Sequence, residues 1–79
     1  MGQSIQNRRE PIYVINVATG EHAVLIKSTP VVTETYLDGS TNTFENLATI
    51  TDRRGEHVNR VSDDEFASLS GVMYKRKGA

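Results

Sequence analysis

The chain has 79 residues, enough for one hydrophobic core and too few for two. With 37% hydrophobic and 24% charged residues it reads as globular, and no apolar run approaches the roughly 18 residues of a membrane span. The lack of cysteine excludes a disulfide framework, a thiol nucleophile and a thiolate zinc site, and a formal charge of -1 excludes a global positive field that would gather nucleic acid.

Eight valines, five isoleucines and eight threonines stand against four leucines and five alanines. Branching at Cβ suits a pleated surface better than a helix, so the chain reads as mainly β. Residues 1–10 are polar and read as a flexible N-terminal arm; they lack the apolar core of a signal peptide, so the expected compartment is cytoplasmic. Residues 11–75 are expected to form a single β-rich domain, and residues 76–79 a basic C-terminal tail.

Pro11 fits the first position of a strand, where no ladder donor is needed. Ile12-Tyr13-Val14-Ile15-Asn16-Val17 carries apolar groups on both alternating faces, the pattern of a central or barrel strand. Ala18-Thr19-Gly20-Glu21 reads as a turn, and His22–Lys27 as the returning strand. Thr29-Pro30 reads as a break. Val31–Leu37 then forms a third strand, which would make a Thr-rich docking face if it lay at a sheet edge. Asp38-Gly39-Ser40-Thr41-Asn42 is a loop, and Thr43–Thr51 a fourth strand in which Phe44, Ala48 and Ile50 share one parity. Asp52-Arg53-Arg54-Gly55 suits a hairpin turn with Gly55 in the left-handed position, and His57–Val61 closes that hairpin.

Ser62-Asp63-Asp64-Glu65 has the capping-box pattern, with Val61 and Phe66 at the two staple positions and Gly71 as a C-terminal stop. This predicts one short helix near 63–70, followed by a short last strand over 72–75. The expected architecture is a small antiparallel barrel or strongly bent sheet of five to six short strands with that helix. Its alternative is an open antiparallel sheet with one packed helix. The strand–helix–strand order over roughly residues 43–75 is similar to that of the small SH3-like barrels, a likeness of element order alone.

Burial on folding is worth about 120 kcal/mol, and ordering a chain of this length costs about the same. So thin a margin predicts a gain from a homo-dimer or another partner.

Chemistry is sparse. His22 and His57, with Glu21 and Glu56, are the right types for a His₂Glu metal set, but neighbours along a strand point to opposite faces. Asp63, Asp64 and Glu65 are explained by capping, and no phosphate-cradling glycine loop or nucleophile elbow occurs. No cofactor or metal is expected. Arg53, Arg54, Arg60, Tyr74, Lys75, Arg76 and Lys77 are the candidate partner-binding residues, able to form one basic surface with a stacking ring.

The resulting expectation is a non-enzymatic binding module. It would be a small accessory or inhibitory protein, of the phage or plasmid type, that docks on a larger protein or protein complex. One alternative is a nucleic-acid-binding regulator using the same basic residues; another is a small enzyme whose site forms only between subunits.

Overall fold

Seven strands and their connecting turns make up the computed structural model, which describes residues 2–78. They are β1 (Gly2–Asn16), β2 (His22–Thr35), β3 (Thr41–Glu45), β4 (Thr49–Thr51), β5 (Val58–Arg60), β6 (Glu65–Ser68) and β7 (Met73–Arg76). All belong to one antiparallel sheet in the order β3-β2-β1-β7-β6-β5, with β4 also paired to β2. The sheet curls strongly into an open half-barrel, and an isolated bridge links Thr51 of β4 to His57, the residue before β5.

The inner face holds the core. Ile12 and Val14 of β1, Leu25 of β2, Val58 of β5 and Phe66 of β6 are buried together, with Ala23, Ile50 and Tyr74 packed against them. Tyr13 and Val17, on the other parity of the doubly apolar β1 segment, point outward and are exposed. That segment is central in the sheet, yet only one of its faces is covered within the chain.

Three hairpins share one turn design. Tyr36, Asp52 and Ser68 each donate their backbone N–H to the carbonyl four residues on, at 2.9 Å in each case. Each also accepts from the N–H of a glycine three residues on: Gly39, Gly55 and Gly71, at 3.0 Å in all three. These glycines take φ of +87°, +82° and +95°, the left-handed conformation that a three-residue hairpin loop requires.

The expected helix over 63–70 is absent. Ser62–Glu65 is instead the turn between β5 and β6: the N–H of Val61 donates to the Glu65 carbonyl at 2.9 Å, and the Ser62 hydroxyl to the Glu65 carboxylate at 3.1 Å. Phe66 and Ser68 then point inward in strand alternation, with Ala67 on the other face. A two-turn helix lacks the length to hold itself, whereas β6 is paired on both sides, by β5 and by β7. The glycine read as a helix stop is a hairpin glycine, because both roles need the same φ. Without the helix, the likeness to the SH3-like order does not extend to this segment.

Three further expectations change. Gly2–Glu10, read as a flexible arm, is the first part of β1 and pairs residue by residue with Lys27–Thr35. Thr29-Pro30 does not break β2. Pro30 faces Asn7 across a non-hydrogen-bonded pair, and its carbonyl accepts the N–H of Asn46 at 2.8 Å. Val31–Thr35 lies between β1 and β3, so it is no edge.

Phe44 and Ile50 do not share a face. Val31 pairs with Glu45 but Ser28 with Thr49, so two residues of β2 stand opposite three, Asn46, Leu47 and Ala48. This one-residue bulge reverses the alternation. Ile50 pairs with Lys27 and reaches the core, whereas Phe44 pairs with Val32 on the outer face.

Candidate functional site

The chain is far from spherical. Its extents are 56 × 23 × 17 Å, and its radius of gyration is 16.3 Å, against about 12 Å for a compact domain of this length. It exposes 5677 Å², whereas a compact chain of this mass exposes about 4,800 Å². The first part of β1, the second part of β2 and β3 cause the difference. They form a three-stranded ribbon that pairs with the rest of the sheet only at its base, where Lys27 and Ser28 meet β4.

The ladder fixes which backbone groups of the ribbon are open. The N–H of Asn16 donates to Glu21 at the closing end of the β1–β2 hairpin, so the even-numbered residues of β1 bond to β2. The N–H and C=O of odd-numbered residues point the other way. Near the far end of β1 they meet β7: the Tyr13 carbonyl accepts from Lys77 at 2.8 Å. At Gln3, Ile5, Asn7 and Arg9 no strand lies beyond them among the described residues. On the outer face of the ribbon Ile5, Val32 and Phe44 stand side by side. Val32, in the middle, is 2% exposed, while Ile5 at the edge is 61% exposed. On the opposite face Arg8 bridges across the ribbon to Glu45 of β3 at 2.7 Å and along its own strand to Glu10 at 3.0 Å. At the ribbon tip Leu37 is almost wholly exposed.

The basic residues divide into three groups. Arg53, Arg54 and Tyr74 line a cleft of about 340 Å³ with His22, Glu21, Asp52 and Glu56. Arg53, with Lys77, His22 and Tyr13, also lines an adjoining hollow of about 370 Å³ floored by Val24 and Ile26. Arg60 is turned toward Asp63 at 3.8 Å. Arg76 sits over the Phe66 ring, 5.6 Å from its centroid, and bridges to Asp64 at 3.4 Å. Lys75 faces outward beside Ile15 and Glu65. The seven candidates therefore do not make one surface; four gather around the two hollows.

Turn chemistry positions Arg53 and Arg54. The Asp52 carboxylate accepts the N–H groups of Arg54 and Glu56, each at 2.9 Å, and so shapes the loop that presents Arg53 and Arg54. The Glu56 carboxylate accepts the N–H of Ser70, tying this loop to the β6–β7 turn. Burial pushes the Tyr74 hydroxyl above its ordinary pKa, and the nearby Asp52 adds to the shift. No protein-family model matches the chain, and neither does any curated protein or solved structure. His57 sits at the bridge to Thr51 and lines neither hollow, and among the described residues no three His, Asp or Glu are grouped to hold a metal ion. No helix among those residues is long and apolar enough to cross a membrane.

Sequence reasoning missed the ribbon. Gly2–Glu10 has one large apolar residue, Ile5, so it carries no alternation of its own. The available signal was non-local: Val31–Thr35 needed a second neighbour to become a central strand.

Proposed function

We propose that this chain is a non-enzymatic binding module that docks on a larger protein or assembly, with the three-stranded ribbon as its docking element. The observation that carries the reading is the surplus surface. The chain exposes about 900 Å² more than a compact domain of its mass, close to the roughly 800 Å² each partner contributes to a standard interface. Strand edges and an apolar row are the chemistry by which such a ribbon takes a partner.

The test is a pull-down from source-cell lysate with the tagged chain, after nuclease treatment, beside a Leu37→Asp variant at the ribbon tip. The reading predicts a stoichiometric protein partner that survives nuclease and is lost with Leu37→Asp. A partner retained equally by that variant, and by Phe44→Asp, would remove the ribbon from the reading.

A second reading is a nucleic-acid-binding regulator. Among the described residues Arg53, Arg54 and Lys77 are in no ion pair, whereas Arg8, Arg60 and Arg76 are. Tyr74 and Tyr13 supply rings beside them. Phosphate binding must weaken as salt rises, by about one log–log unit per phosphate contacted. An Arg53→Glu, Arg54→Glu double variant would abolish it, and salt-independent binding would exclude it.

A further inference from the structure

The open edge of β1 is complementary to itself. We propose that it pairs antiparallel with the same edge of a second copy of this chain, about a two-fold axis at Ile5. The inference rests on the ribbon being a docking element and names what occupies its β1 edge. The β3 edge and the tip stay open to a larger partner.

Backbone direction limits the registers. Hydrogen-bonded pairs across the axis must join odd-numbered residues, because only these point outward from β1. With Ile5 opposite Ile5 of the second copy, Gln3 faces Asn7 and Ser4 faces Gln6. The apolar row then runs unbroken across both ribbons, Phe44, Val32 and Ile5 meeting the same three residues in reverse order. The most exposed member of that row becomes its centre. Sliding by one allowed step sets Ile5 opposite Asn7, and by two steps opposite Arg9, which breaks the row. Longer overlaps set Arg8 opposite Arg8, or Arg9 opposite Arg9, and like charges directly across a ladder repel. Pro11 has no N–H to offer at the far end. Apolar burial and charge thus select the same register.

The absence of native cysteine makes the register directly readable. In an Ile5→Cys variant the paired Cα atoms lie about 5.5 Å apart, within the range a disulfide spans. In a Gln3→Cys variant the two cysteines are offset by four residues, about 13 Å, out of reach. Mild oxidation is therefore expected to convert Ile5→Cys to covalent dimer and to leave Gln3→Cys monomeric. A mixture of Gln3→Cys with Asn7→Cys is expected to give the mixed dimer. Sedimentation equilibrium of the unmodified chain is expected to show the mass rising from 8.8 kDa to twice that with concentration. Asn7→Pro removes only an outward donor and should weaken the association at least tenfold, with the melt little changed. Equal cross-linking of Ile5→Cys and Gln3→Cys, or a mass fixed at that of one chain up to the solubility limit, would overturn the proposal. A fixed monomer whose β1 amides still alternate in protection leaves the edge to a different protein. Uniformly unprotected amides over Gly2–Glu10 would sink the docking reading as well.

Discussion

Replacing Phe66 by alanine separates a strand at 65–68 from a helix at 63–70. Phe66 is the largest fully buried side chain, in contact with the cluster of Val14, Leu25 and Val58, and its ring carries the Arg76 guanidinium. Truncating such a ring costs about 3–5 kcal/mol through lost burial and the cavity left behind. The displaced guanidinium adds about 0.5–1 kcal/mol. A chain of this length has about 4–12 kcal/mol in total, so most of its stability is at stake. A loss near 4 kcal/mol lowers the melting temperature by about 16–30 °C. Leu69, three residues on, is 68% exposed in the β6–β7 turn, and Leu69→Ala should cost no more than about 0.5 kcal/mol. On a helix the two residues would share a face, and the two truncations would cost alike. Thermal melts followed by far-UV circular dichroism, with urea titrations for the milder variant, give both values. Comparable losses for Phe66→Ala and Leu69→Ala would refute the strand assignment.

Thr29 is buried on the inner face, and among the described residues its hydroxyl has no hydrogen-bond partner. Thr29→Val, of the same shape, is therefore expected to be neutral or to stabilise by about 1 kcal/mol in urea unfolding, and a loss above that would mean the hydroxyl is bonded. Deleting Leu47 removes the extra residue of the bulge and turns either Phe44 or Ile50 to the wrong face. The expected cost is about 1.5–3 kcal/mol, and an unaffected melt would refute the bulge. The Tyr74 hydroxyl titrates above its ordinary 10.0 in the folded chain, so its contribution is fully present below pH 10. That contribution is lost as pH rises through the folded pKa. Melts between pH 9 and 12 should show a fall that Tyr74→Phe reduces, and identical alkaline limbs would contradict it.

What the sequence disclosed followed from local chemistry. β-branched composition, the apolar run Ile12–Val17 and the loop around Gly55 each act through neighbours in the chain, and each is found where it was expected. Ser62–Glu65 misled for a local reason: a serine and a glutamate three apart suit a hairpin turn as well as a helix start, and the choice was made by the strands on either side of Phe66. The ribbon was hidden because Gly2–Glu10 becomes a strand only through Lys27–Thr35. The bulge was hidden because parity counted along Thr43–Thr51 assumes an unbroken ladder. Among the basic residues, Arg53 and Arg54 stayed at a loop tip as read. Arg60 and Arg76 were drawn toward the carboxylates of the Ser62–Glu65 turn, a fold-level pairing that no spacing announces.

Over its first part β1 has one bonded edge and one open edge, and amide hydrogen exchange by NMR reads this residue by residue. In dilute solution Ser4, Gln6, Arg8 and Glu10 should exchange slowly, because their N–H groups bond to β2. Ile5, Asn7 and Arg9 should exchange fast, and should become protected as concentration rises or a captured partner is added. Fast exchange at every residue from Gly2 to Glu10 under all of these conditions would contradict the ribbon, and with it the docking function.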